Sequence, residues 1–240
     1  MAKGFTFKQF HVDDFGCGMP VSTDGVLLGA WAALPAEGEI VDIGTGSGLL
    51  ALMAAQRTAK SRITAVDIDP RAIRAAASNF ANSPWQARLC CITQDVTDWG
   101  AQQPGGRFSA IVCNPPYFNH GQQASCSSRA TARHTDTLSH NCLLTTIRHL
   151  LDGNGQASLI LPEYEGRLLL REAKAHQLFC HRLCEIRSTE RKPVSRLLIA
   201  LSKAPLPEPG QPQTEHLSIH HQGRYSAAFC ALTRDFYLKL

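Results

Sequence analysis

Apolar and polar positions follow two rhythms along this chain. Short apolar runs occur at Glu39–Ile43 (EIVDI), Arg62–Ile68 (RITAVDI), residues 87–95 (ARLCCITQD), residues 107–113 (RFSAIVC) and residues 156–162 (QASLILP). Continuous runs of this length predict strands buried on both faces. Segments rich in helix formers alternate with them. LLALMAAQRT runs to Thr58, and DPRAIRAAASNFANS opens with Asp69 at the N-cap and Pro70 at the first helical position. LSHNCLLTTIRHLLDGNG is expected to stop at Gly153 and Gly155, and YEGRLLLREAKAHQL follows the fifth strand. Strand–helix alternation of this kind predicts an α/β fold, a parallel sheet covered on both faces.

The rhythm changes after Leu178. FCHRLCEIRST, SRLLIALSK and EHLSIHH read as strands with no long helix between them, which predicts an antiparallel C-terminal part. Pro205–Gln213 reads as a surface loop. Phe229, Leu232 and Phe236 recur at helical spacing in the tail. The expectation is one domain over 1–240, with an N-terminal segment 1–38, a parallel core 39–178 and a C-terminal part 179–240.

Composition narrows the class. The chain has 240 residues, 44% hydrophobic and 18% charged, which suits a globular domain with a sizeable core. A formal charge of +4 permits a polyanionic partner without demanding one. MAKGFTFKQF has no apolar leader core, and the apolar stretch GVLLGAWAAL is too short to span a bilayer. With nine cysteines and no secretory leader, free thiols in a cytoplasmic protein are expected. No membrane association is expected. Cys180 and Cys184, near His176 and His181, lack the paired spacing of a zinc site, so no metal is expected.

The candidate chemistry sits where strands end. VDIGTGSGL places Asp42 on a strand, then Gly44, Gly46 and Gly48 before a helix. Such glycines let the backbone turn sharply and approach a ligand closely. The spacing is G-x-G-x-G, not the dinucleotide G-x-G-x-x-G, and no Gly-Lys-Ser/Thr follows. Asp42 before the loop suits a ligand carrying an ammonium group. Asp67 ends the second strand, where a carboxylate can accept ribose hydroxyls. Asp95 ends the third, within reach of an adenine amine, although capping a helix is the simpler role for such an Asp. The fourth strand stops at Asn114-Pro115-Pro116-Tyr117, because two prolines remove two backbone donors. A rigid turn with an amide before it and an aromatic after it can form a notch for a flat amine.

In this combination the chain resembles the class I S-adenosylmethionine-dependent methyltransferases, in the branch whose N-P-P-Y motif handles amines. GFTFKQFHV, STDGVLLGAWA, NPPYF, RATARHTDTLSH and YSAAFCALTRDFYL are similar, over nearly the whole chain, to the bacterial adenine-N6 methyltransferases of valine tRNA, which modify adenosine 37. The resemblance implies a Rossmann-like, mostly parallel sheet of seven strands and S-adenosylmethionine as cofactor. It implies that Asp42, Gly44, Gly46 and Gly48 hold the methionine side, Asp67 the ribose and Asp95 the adenine, with Thr23 and Asp24 lining the same pocket. It further implies that Asn114 and Pro115 accept the hydrogens of the target amine and that Tyr117 stacks on the base.

Pro116 and Phe118 would complete the base notch. Basic side chains should carry the RNA backbone. Arg129 and Arg133 in SSRATARH and Arg191 and Lys192 in RSTERKPVSR are the candidates, with Lys3 and Lys8 as lesser ones. His120, His134 and His140 are given no catalytic role, since a sulfonium methyl needs no strong base. Two other readings stay open here, a protein-glutamine methyltransferase and a non-catalytic RNA-binding module on the same fold. The short segment before the first core strand and the intact motifs weigh against them. A monomer is expected.

Overall fold

The computed structural model describes residues 4–15, 20–115, 138–206 and 210–239. The chain opens with a separate hairpin, β1 (Gly4–Thr6) and β2 (His11–Asp13). Helix α1 (Thr23–Trp31) follows, with Ser22 accepting from the Gly25 N–H as its cap. The central part alternates as expected: β3 (Glu39–Ile43), α2 (Leu49–Arg57), β4 (Arg62–Asp67), α3 (Pro70–Ala81), β5 (Leu89–Thr93), α4 (Val96–Ala101) and β6 (Phe108–Cys113). Next come α5 (His140–Leu150), β7 (Leu151–Pro162), α6 (Glu163–Ala173), β8 (Phe179–Thr189), β9 (Val194–Ser202), β10 (Gln213–His221), β11 (Arg224–Tyr225) and α7 (Ala227–Thr233).

The main sheet has the order β11-β10-β8-β9-β7-β6-β3-β4-β5. The expected mostly parallel Rossmann-like sheet is present, its seven strands running from β5 to β8, and β10 and β11 extend it. The expected antiparallel strands are present at β9 and β11, with one difference in β10. Of the long C-terminal strands, only β9 runs against its neighbours, whereas β10 runs parallel to β8. A tight turn makes β8 and β9 antiparallel. The chain then leaves β9 at Ser202, beside Phe179 at the start of β8, and re-enters β10 at Gln213, beside Arg182. It has skipped over β8 without changing ends, so it must run in the direction of β8. A second difference lies at Gly153 and Gly155. They do not stop α5, which ends at Leu150, but belong to the irregular start of β7.

Side-chain alternation divides the core between the two faces of the sheet. Val41, Ile43, Ile111 and Leu159 pack against Trp99 of α4, Leu143 and Ile147 of α5 and Leu169 of α6. On the other face Ile40, Ile63 and Ala65 meet α2, Phe80 of α3 and the hairpin residues Phe7, Phe10 and Val12. Farther along that face Val112, Ile160, Leu198 and Ile186 lie under Leu27, Leu28 and Trp31 of α1 and Phe229 of α7. A polar clamp adds to the apolar contact. Arg182 pairs with Glu215, Trp31 donates to the same carboxylate at 3.0 Å, and the guanidinium lies 4.3 Å from the Trp31 ring centre. This ties α1 to β8 and β10, and the cation–ring contact contributes about 1 kcal/mol.

The tail packs as expected: Phe229 and Phe236 are buried, though Phe236 lies just past the helix. Phe229 is fully enclosed, and truncating such a ring costs about 3–5 kcal/mol. Phe229→Ala should lower the urea midpoint accordingly, and an unchanged midpoint would show that α7 adds nothing to the core.

Candidate active site

Strands β3, β4 and β6 end in register. Ile43 is paired with Val66 on one side and Cys113 on the other, and Asp67 with Thr93. Gly44 and Asn114 therefore leave adjacent strands at the same carboxyl edge, about 4.8 Å apart in the hydrogen-bonding direction. Asp67 stands on the other flank of the loop. The structure thus brings together the glycine loop, Asp67 and the start of the Asn-Pro-Pro turn.

Asp42 holds the loop from beneath. It is fully buried, and its Oδ2 accepts from the Thr45 hydroxyl at 2.6 Å and from the Ala51 N–H at 3.1 Å. Its Oδ1 is buried without a hydrogen-bond partner among the described residues. Burial pushes the carboxyl up to about 7, against the hydrogen bonds from Thr45 and Ala51. The sequence expectation set Asp42 toward a ligand carrying an ammonium group, whereas in the structure its carboxyl is enclosed by loop and helix.

Gly44 (φ 69°) is exposed, with nothing within 4 Å of where a Cβ would stand. Its bare backbone faces open space, as a ligand cradle requires. Gly48 (φ 86°) serves packing instead. A Cβ there would lie 2.5 Å from the Phe80 ring, so the start of α2 and the side of α3 can meet only without a side chain. Gly46 donates its N–H to Asp67 Oδ2 at 2.9 Å, and Asp69 donates to Oδ1 at 2.9 Å. These bonds orient the Asp67 carboxylate and leave it lone pairs for further donors. Burial raises its pKa, partly offset by the Asp69 and Gly46 N–H groups.

Asp95 caps α4, accepting from the Thr97 N–H at 2.7 Å and from the Thr97 hydroxyl. Burial alone would raise its pKa, but the bonds from Thr97 and the Asp98 N–H outweigh it and hold the group below the usual range. Asp95 is an anion at neutral pH with its cap role filled. Thr23 is exposed at the start of α1, and Asp24 beside it accepts from Arg196 Nε at 2.7 Å. Arg196 stands opposite Pro162 in β9, so this ion pair lies at the same edge.

Asn114 is partly exposed and Pro115 buried. Pro116, Tyr117, Phe118, Arg129, Arg133, His120, His134 and Lys3 lie outside the described residues. Arg191 and Lys192 are exposed in the turn after β8, at the carboxyl edge. Lys8 is not there. Its Nζ donates to the Arg234 carbonyl, and Gln56, in the last turn of α2, donates to neighbouring Asp235. Lys8 is thus held near the end of α2 remote from the glycine loop. His140 pairs with Glu165 at 3.6 Å.

Cys113, just before Asn114, is fully buried, and burial raises its thiol well above the ordinary value, so it is no nucleophile. His176, His181 and Cys180 each have separate partners, Thr145, the Ala204 carbonyl and the Arg182 carbonyl. Among the described residues no group of three or more His, Cys, Asp or Glu could hold a metal ion, and no helix is long and apolar enough to cross a membrane.

Two useful residues carry weak sequence signals. Asn79 is buried in α3. It donates to the carbonyls of Ser47 and Asp13 and accepts from the Asp13 N–H, stapling the glycine loop to the N-terminal hairpin. An amide near the end of an otherwise alanine-rich helix was the only hint. Tyr164 is 63% exposed just after β7, one strand from Asn114.

An open α/β sheet with a bare glycine loop and a rigid proline turn at adjacent strand ends defines a Rossmann-like methyltransferase. The Methyltransferase small domain family matches residues 23–149. Solved structures agree on the fold. A predicted O-methyltransferase of Agrobacterium tumefaciens, protein Atu636, superposes with TM-score 0.65 at 20% identity over 89% of this chain and 96% of its own. TYW2 of Pyrococcus horikoshii, in complex with MeSAdo, gives 0.60 at 12% identity over 85% and 72%.

Full-length relatives are closer in sequence. The tRNA1(Val) (adenine(37)-N6)-methyltransferase of Photobacterium profundum is 62% identical over the whole of both chains. That of Vibrio parahaemolyticus is 51% identical over 99% of this chain and 97% of its own. The chain belongs to the family of tRNA1(Val) (adenine(37)-N6)-methyltransferases.

The buried Asp42 makes stability depend on pH. Its folded pKa lies above the unfolded value of 3.8, so the folded state holds a proton that the unfolded chain releases. Its contribution is most favourable below about pH 4 and is lost as pH rises through about 7. The stability difference between wild type and Asp42→Asn should therefore fall between about pH 4 and 7, by on the order of a few kcal/mol, and level off above that range. Urea midpoints at matched pH check this, and a pH-independent difference would refute it.

Proposed function

We infer that this protein transfers a methyl group from S-adenosylmethionine to the exocyclic N6 of an adenine in tRNA, adenosine 37 of a valine tRNA. The carrying observation is the full-length kinship with relatives of that activity, together with Asn114 and Pro115 beside the exposed Gly44 backbone. Family kinship distinguishes this reading from protein-glutamine methylation, which shares the N-P-P-Y turn.

The residues present fit the cofactor. Gly44 leaves room for close backbone approach, and the oriented Asp67 carboxylate can accept ribose hydroxyls. Asp95, ionised next to the loop after β5, can accept from the adenine amine. When bound, S-adenosylmethionine supplies an electrophilic methyl on its sulfonium. Asp42, Gly46, Gly48 and Asn79 act indirectly by shaping the loop, while Thr23 and Asp24 border the same edge.

The N6 amine of adenine is a poor nucleophile because its lone pair is delocalised into the ring. Asn114 Oδ1 and the Pro115 carbonyl can each accept one N6 hydrogen. They place partial negative charge where positive charge develops and aim the nitrogen along the transfer line. Pro115 is buried and fixed in φ, so its carbonyl needs little reorganisation. Tyr117 is assigned to stack on the base, with Pro116 and Phe118 completing the notch, because such a base must leave its stack to reach the site. Arg191 and Lys192 reach toward RNA phosphates from the turn after β8, and Arg129 and Arg133 are assigned the same task. The protein is proposed to work as a cytoplasmic monomer.

Nucleoside mass spectrometry of valine tRNA incubated with the protein and labelled cofactor should show label in N6-methyladenosine at position 37. Label elsewhere or none would overturn the assignment. Asn114→Ala should lower kcat about 10²–10³-fold with cofactor affinity nearly unchanged. Normal turnover in that variant would remove Asn114 from the chemistry. Asp67→Ala should weaken cofactor binding in a calorimetric titration, and wild-type affinity would end its ribose role.

A further inference from the structure

We propose that the cleft between the β8–β9 turn and the β10–β11 hairpin is a second RNA site, which receives an unpaired nucleotide of the tRNA distinct from the methylated one. This rests on the tRNA reading above and adds a place and a chemistry to it. The cleft is open to solvent, has a volume of about 740 Å³ and is bordered by Glu190, His216, His221, Arg224 and Tyr225. That is ample for one nucleotide. It lies at the carboxyl edge, because β8 and β10 run parallel to β6 through the order β6-β7-β9-β8-β10. Four strand spacings separate it from Asn114, about 19 Å. An RNA loop with one base in the notch can reach that far with another.

The charge balance favours phosphate. The acids near the cleft are engaged. Glu185 pairs with Arg167, Arg187 and His216, and Glu190 pairs with His221 at 3.0 Å. Arg191, Lys192 and Arg224 are exposed and make no ion pair among the described residues. Glu190, hydrogen-bonded to His221, offsets one of these three charges and leaves the two adjacent turns with a net positive, anion-seeking rim.

The rings favour a base. His220, Tyr225 and Phe229 are nearly parallel, with centroid separations of 5.2 and 4.6 Å and interplanar angles of 21° and 20°. Tyr225, 45% exposed, is the middle ring, flanked by the fully buried Phe229 and by His220, so the stack runs from the core through Tyr225 to His220. The His220 ring is held by a contact of its Nδ1 with the Ser188 carbonyl, at 3.3 Å. An unpaired base extends this stack by one ring at its His220 end, beside the exposed edge of Tyr225, a contact that tolerates any base. The hairpin that presents Arg224 and Tyr225 turns through Gln222 at φ 49° and Gly223 at φ 78°. Both residues are left-handed, as a two-residue turn of this hand requires, and Gln is a strained choice at the first. The tightness of the turn sets Arg224 directly opposite His221.

The test is steady-state methylation of a full-length valine tRNA transcript by wild type, Arg224→Gln, Tyr225→Ala and Tyr225→Phe. The KM for tRNA should rise roughly five- to a hundredfold in Tyr225→Ala, with kcat within about twofold, and stay near wild type in Tyr225→Phe. Arg224→Gln, on an exposed hairpin where folding is not at risk, should also raise it and should reduce the salt slope of tRNA binding by about 0.7–0.9. The KM for S-adenosylmethionine should not move in any of them, which separates RNA contact from damage to the fold. If wild type is active and both Arg224→Gln and Tyr225→Ala keep its KM for tRNA, the cleft is not an RNA site. If only Arg224→Gln responds, the stacking role is overturned. If wild type transfers no methyl group to tRNA, the enzymatic reading itself fails.

Discussion

The carboxylate of Asp42 fastens the glycine loop to the helix that follows it, and the functional edge is built around that fastening. One oxygen accepts from Thr45 within the loop and from Ala51 within α2. The loop then reaches Asp67 through the Gly46 N–H, and Asn79 holds its far side through Ser47. Three strands in register carry these groups, so a shift of β3 would displace the cofactor cradle and the Asn114 turn together. Holding a carboxyl in a dry site costs free energy, visible in its raised pKa. The cost resides where loop geometry matters most, as is common for sites that must be preorganised.

The carboxyl edge divides into two parts. On the β4–β3–β6 side the groups are short and backbone-dominated: Gly44, Asp67, Asn114 and the Pro115 carbonyl. They suit a small cofactor and one planar amine. Across β7, β9, β8 and β10 the same edge becomes basic and aromatic, with Tyr164 exposed beside the notch and the Asp24–Arg196 pair next to it. This half is built on strands that extend beyond the parallel core. It is contiguous with the candidate site but carried by different elements, so the contacts proposed for RNA and for cofactor are separable by mutation.

The alternating strands and helices of the core were legible because the central strands are buried on both faces and several helix breaks are marked by Gly, Pro or Asp, although β5 is a half-exposed edge strand and the helix ending at Leu150 carries no such mark. The chemistry was legible for the same reason. Motifs at strand ends are contiguous in sequence, and their spacing follows the βαβ repeat. Helix α1 was less visible. It is enclosed by α2, α7 and the sheet, and a helix that is apolar all round shows no amphipathic period. Helix α4 was hidden by its brevity, although Asp95 marks its start.

The fold class, the parallel core and the gathering of the glycine loop, Asp67 and Asn114 at one sheet edge were therefore written in the linear chain. What those residues do locally was settled by packing: Asp42 is sealed behind the loop, Gly48 makes room for Phe80, and Asp95 caps a helix. Packing also set the direction of β10, the placement of Lys8 away from the carboxyl edge and the meeting of Glu190, His221, Arg224 and Tyr225 at one cleft. Those outcomes depend on contacts between residues far apart in the chain. Burial, crossover path and charge compensation are properties of neighbours in space, and a linear pattern carries them only where the neighbours are also close in sequence.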